Sequence, residues 1–163
     1  MNTDRILGVF NAHGVEYILI GGMNFLLRHA PTMVTFDIDF WVEDSADNLR
    51  HCEAALAEIG AEWGANDDDW MPVGQRNPGW LHQQSIFSLN SSLGPVDIFR
   101  VVRGLASWQG CRSRARVGKT AGGSQFLALS DEDMLECQLA LPEGERKQDR
   151  ISALRRAIEG NRS

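Results

Sequence analysis

Apolar positions change period several times along the first third of the chain, and each change marks an element. Ile6, Leu7 and Phe10 share one helical face behind Thr3-Asp4, which can cap the helix, and Gly14 ends it. Tyr17 to Ile20 is a short buried strand. Gly21-Gly22 turns the chain into a second helix, through Phe25, Leu26 and Leu27 to about His29, with Pro31 as its stop. A strand runs from about Thr35 to Val42. Ser45 then caps a helix carrying Leu49, Cys52, Leu56 and Ile59 at near-helical spacing, before Gly60.

The pattern loosens after this α-β-α-β-α opening. Asn66 to Gly79 is acidic, then rich in Pro and Gly, and reads as an exposed loop between strands. Ser85 to Leu89 and Val96 to Val102 read as neighbouring strands with Asn90 to Pro95 as their turn. Arg112, Arg114 and Arg116 alternate with small or apolar residues, which predicts an edge strand with a basic face. Ser130 caps a helix through Leu135 and Leu139, ended by Pro142. A last helix places Ile151, Leu154 and Ile158 on one side. No repeat and no domain boundary stands out, so residues 1–163 are expected to form a single α/β (α+β) domain: a small mixed sheet flanked by helices, with a helical C-terminal segment from about residue 130.

The chemistry concentrates in Asp37-Ile38-Asp39. Carboxylates at i and i+2 leave the same face of a strand with their Cα atoms roughly 6.5 to 7 Å apart, close enough to share hard cations. Phe36, Ile38, Phe40 and Trp41 make that segment a strand, where aspartates are uncommon and costly to bury unpaired. Asp97, between Val96 and Ile98, is a third carboxylate in a similar setting; it completes a metal site or pairs with Arg100 or Arg103. Gly21-Gly22 serves backbone geometry or, at the start of a helix, a phosphate cradle.

The Gly-Gly turn opening a helix, the Asp-x-Asp strand and the lone later Asp resemble the nucleotidyltransferase-fold superfamily, whose members transfer NMP from an NTP to a hydroxyl. Small bacterial members often carry His-Gly-x-x-Arg-x-Thr-x-Asp-x-Asp. His29, Thr35, Asp37 and Asp39 fall in that register, while Ala30 takes the Gly position, Met33 the Arg position, and Met23 follows the glycine pair where the strictest motif has Ser. The likeness covers Val15 to Val42 well, Gly94 to Val101 adequately and Ser130 to Leu154 loosely. It implies Mg²⁺ or Mn²⁺ on Asp37, Asp39 and Asp97, which would also be the catalytic residues, and an NTP against Gly21, Gly22 and Thr35. Arg100, Arg103, Arg114 and Lys119 are candidate triphosphate contacts or ordinary surface charge. Trp70, Trp80 and His82 stack an acceptor or pack in the core. Arg146, Lys147 and Asp149 resemble a late basic-acidic patch of small family members. Gly118-Lys119-Thr120 looks like the end of a P-loop, but Ser113 replaces the required upstream Gly.

Composition trims the partner classes. A net charge of -6 disfavours a broad nucleic-acid surface, which needs a basic excess to release counterions. Lys119 and Lys147 are the only lysines, so nearly all positive charge is arginine, the better bidentate phosphate ligand. Cys52, Cys111 and Cys137 are isolated and read as reduced thiols. No signal peptide or long apolar run appears, which predicts a cytoplasmic chain without a membrane partner. The expected activity is NMP transfer to a small molecule, an RNA end or a protein. The alternative is a catalytically idle nucleotide-sensing or partner-binding module, for instance one component of a toxin-antitoxin pair; Met23 and Met33 are the departures that favour it.

Overall fold

The computed structural model describes residues 1–29 and 35–162. Pro31 as the helix stop, and Ala30 and Met33 in the family pattern, lie outside the described residues. The elements run α1 (Thr3–Ala12), β1 (Tyr17–Ile20), α2 (Gly21–His29), β2 (Ile38–Val42), α3 (Ala46–Glu58), β3 (Glu62–Trp63), β4 (Met71–Pro72), β5 (Ile86–Leu89) and β6 (Val96–Phe99). They continue with α4 (Trp108–Arg114), β7 (Arg116–Lys119), β8 (Gln125–Ala128), α5 (Asp131–Leu139) and α6 (Gln148–Gly160).

Six strands form one mixed sheet in the order β5-β6-β2-β1-β8-β7, and β3 and β4 pair separately. β1 lies at the centre, antiparallel to β2 and parallel to β8, while β2 runs parallel to β6. Apolar clusters cover both faces. On one, Ile6, Leu7 and Phe10 of α1 and Leu49 and Leu56 of α3 meet Leu19, Ile38 and Phe40; on the other, Ile18, Ile20 and Trp41 meet Phe25, Leu129, Met134 and Leu154. Two-sided burial is why β1 reads as a continuous apolar run rather than an alternating one. Phe10 stacks on Phe40 at 4.2 Å, and Tyr17 meets Phe40 edge-on at 4.9 Å.

Local signals placed most helix starts. Ser45 Oγ accepts from the Asn48 amide and Ser130 Oγ from the Asp133 amide, as N-caps do. Asn2 rather than Thr3 caps α1, its side chain accepting from the Arg5 amide. The expected edge strand through Arg112 and Arg114 is instead helical. Ser107 caps α4 by accepting from the Gly110 amide, Trp108 donates its indole N–H to the Trp41 carbonyl, and Cys111 is buried, so only Arg116 enters β7. Three alternating residues could satisfy either period, and the cap decided between them. Among the described residues, no helix is long and apolar enough to cross a membrane.

Candidate functional site

The sheet register assembles the three aspartates. Asp39 lies directly beside Asp97 across the parallel β2–β6 pair, in line with Ile20 on β1 and Ser88 on β5. Adjacent strands are about 4.8 Å apart and partnered side chains leave the same face, so the two carboxylates converge. The strand expected from Thr35 begins only at Ile38, after a bend at the exposed Phe36, so Asp37 immediately precedes β2 and still brings its carboxylate to Asp39. One carboxylate oxygen from each of the three falls within 4.8 Å of the others. The carboxylates stand on the sheet face that α5 and α6 cover, the face of Trp41, Phe99 and Leu154.

Crowding and burial set the electrostatics. The Asp39 carboxyl is pushed up to about 8, first by burial and then by the charges of Asp37 and Asp97, against a downward pull from Arg150. Asp97 is also raised, chiefly by burial, while its hydrogen bonds with Asp39 and Ser88 pull it down. Asp39 Oδ1 is buried without a hydrogen-bond partner among the described residues. Such an atom costs stability unless something supplies positive charge or a donor.

Gly21 and Gly22 flank this cluster in different ways. Gly21 has φ +72°, and a Cβ there would sit 2.2 Å from Asp39 Oδ2, so both backbone conformation and space demand glycine. At Gly22 a Cβ would lie 3.1 Å from Arg150 Nη2 and 3.2 Å from Thr35 Oγ1, both ends of side chains that can shift. Gly21→Ala is therefore expected to lower stability by about 2–4 kcal/mol, from the left-handed conformation and the carboxylate clash together, and Gly22→Ala by under about 1 kcal/mol. Urea denaturation of the two variants measures the difference; equal losses would refute this account of the turn.

Other predicted contacts distribute as follows. Thr35 joins the site, its hydroxyl donating to Asp37 Oδ1 at 3.3 Å. Met23 is buried in the core on the α1 side, so α2 offers its backbone, not this side chain, to the cluster. Asp97 has no pairing with Arg100, which forks onto Asp44 at 2.8 Å and donates to the Leu81, His82 and Gln84 carbonyls. Lys119 is exposed at the end of β7 that pairs with Gln125, on the outermost strand. Arg114 holds the buried Asp133 at 3.0 Å, and His29 meets the buried Asp131 at 2.6 Å, tying α2 to α5. Trp80 packs in the core against Trp63 and Phe87, while Trp70 and His82 are exposed. Arg146 closes the end of α5 by donating to the Leu139 and Leu141 carbonyls.

Two features of the site have no counterpart in the sequence reading. Arg150 reaches it from α6, and Arg103, Arg150, Gly21 and Asp39 share a cavity of about 280 Å³ whose apolar walls include Phe25, Phe99, Met134 and Leu154. The helical period carried a signal for Arg150: it precedes the fully buried Leu154 by four residues and so shares its inward face.

No protein-family model matches the chain, and no curated protein matches it. Among solved structures, the crystal structure of JHP933 from Helicobacter pylori is similar over 88% of this chain, at 14% sequence identity and a TM-score of 0.41. The chain spans 56% of that protein's length, and a likeness this shallow carries no argument here.

Proposed function

We propose that the chain is a metal-dependent nucleotidyltransferase, moving NMP from an NTP to a hydroxyl acceptor. The observation that carries this reading is the in-register meeting of Asp39 and Asp97, with Asp37, beside a glycine-opened helix N-terminus. A divalent ion suits the donor set: three carboxylates, all oxygen ligands, with Asp39 Oδ1 buried and unpartnered among the described residues and the Asp37 and Asp97 charges raising the Asp39 carboxyl. Asp37, Asp39 and Asp97 would hold Mg²⁺ or Mn²⁺. When bound, such ions neutralise phosphate charge and make the attacking hydroxyl more acidic.

The remaining work falls to the chain. The backbone N–H groups at the start of α2 face a region kept clear by Gly22, where they can donate to phosphate oxygens, and the helix dipole adds favourable potential. The Thr35 hydroxyl is close to both Gly22 and Asp37 and can add a donor there. Asp97 would orient the acceptor hydroxyl and take its proton. The acceptor oxygen then bonds to the α-phosphorus as the bond to pyrophosphate breaks. Met23 packs into the core on the α1 side, so the phosphate contact of the family's Ser is not replaced by this side chain, and the departure still favours the idle module.

Calorimetry with ATP tests the binding half. Binding in Mg²⁺ is expected to weaken at least about tenfold in EDTA, and by a similar factor in Asp37→Asn/Asp39→Asn, since triphosphate oxygens complete shells that the carboxylates leave open. Equal affinity in wild type and double variant would refute the site. Incubation with α-labelled ATP, GTP, CTP or UTP and a cell extract fractionated into small molecules, RNA and protein tests transfer. Labelling of one fraction with pyrophosphate release supports the enzyme; metal-dependent binding with no labelled fraction supports the sensing or partner-binding module instead.

A further inference from the structure

Arg150 borders the carboxylate cluster with its hydrogen-bonding capacity unused by the described residues. Arg28, Arg76, Arg100, Arg114 and Arg146 each spend their guanidinium on carbonyls or carboxylates. Arg150 has no hydrogen-bonded or ion-pair partner among the described residues; its guanidinium carbon lies 5.5 Å from the centre of the Phe25 ring. A cation on an aromatic face is oriented without consuming its N–H donors. Those donors lie where a phosphate would arrive, since Nη2 is the nearest atom to a Cβ built on Gly22, at 3.1 Å. The same side chain lines the cavity shared by Gly21 and Asp39 and is close enough to bias the charge of Asp39.

Two demands meet at this position. A bare divalent ion entering the triad must approach a fixed positive charge, which opposes it. A metal–triphosphate complex brings several negative charges, and the planar guanidinium can fork onto two phosphate oxygens. Resting on the nucleotidyltransferase reading, we propose that Arg150 is the triphosphate clamp of this site and at the same time the counter-charge of its carboxylate triad, so that the site selects the metal–nucleotide complex over the bare metal. The two roles give one substitution effects of opposite sign, which a merely structural arginine would not produce.

The test uses the full chain, Mn²⁺ alone and Mn²⁺ with ATP, with affinities from calorimetry and circular dichroism as the folding control. Arg150→Gln is expected to bind bare Mn²⁺ about 3–10-fold more tightly, and ATP in Mn²⁺ about 10–100-fold more weakly, than wild type. Arg150→Lys keeps the charge without the fork; it should bind bare Mn²⁺ as wild type does and lose at least about fivefold in nucleotide affinity. Arg150→Gln with nucleotide affinity within about twofold of wild type, or with no gain for bare Mn²⁺, overturns the proposal. Should Arg150→Gln not fold, Arg150→Lys decides alone: undiminished nucleotide affinity overturns it. Wild type that binds no ATP in Mn²⁺ would instead sink the nucleotidyltransferase reading itself.

Discussion

Asp97→Ala is expected to reduce NMP transfer by about 10³-fold or more while weakening metal-dependent ATP binding by less than about tenfold. Three carboxylates share the cluster, yet they do not occupy equivalent positions. Asp37 precedes β2 and hydrogen-bonds Thr35, and Asp39 lies within β2 beside Gly21, whereas Asp97 comes from β6 and accepts from Ser88 on the neighbouring strand. In the proposed mechanism Asp37 and Asp39 anchor what the nucleotide brings. In the proposed mechanism Asp97, on the adjacent strand, acts toward the acceptor, and a group that orients the nucleophile or takes its proton matters most in the transition state. Single-turnover labelling beside equilibrium binding separates the two effects. Parallel losses in binding and turnover would make Asp97 an ordinary third metal ligand with no separate role toward the acceptor.

Much of the site was legible because its rules are local. The Asp-x-Asp spacing brought Asp37 and Asp39 together although β2 starts only at Ile38, and the glycine pair marked the turn into α2. What joins Asp97 to them is the β2–β6 register, a pairing between strands more than fifty residues apart that periodicity cannot fix. The same limit explains the cations. An arginine's sequence neighbours do not say where its long side chain ends: Arg100 and Arg114 went to Asp44 and Asp133, and Arg150 came to the triad. β8 had no clear signal of its own, since Gln125 to Ala128 is four residues long and enters the sheet beside β1 through a single parallel pairing. At Ser45 and Ser130 a cap side chain chose the helical conformation locally, and α6 followed from its apolar face without one. Where a short alternating stretch had to be read without its cap, at Arg112 and Arg114, the period misled.

Asp39→Asn is expected to stabilise the metal-free protein, by an amount that grows with pH. In the folded chain the Asp39 carboxyl is pushed up to about 8 by burial and by its acidic neighbours, whereas in the unfolded chain it titrates near 4. Between those values the folded state holds a proton that the unfolded state has released, so stability falls as pH rises from about 4 to about 8 and then levels off. Asparagine keeps the shape, carries no charge, and can still donate to Asp97, which removes that slope. The gain over wild type should be small at pH 5 and reach about 2–3 kcal/mol at pH 8, or roughly 4–10 °C in Tm for a chain of this size. Thermal unfolding in EDTA across that range, wild type against variant, isolates the contribution of this one group from the other carboxylates. The same substitution should abolish the stabilisation that Mg²⁺ with ATP gives wild type, because a ligand stabilises only the state that binds it. A variant less stable than wild type at every pH would mean that Asp39 holds the fold together rather than straining it for a ligand.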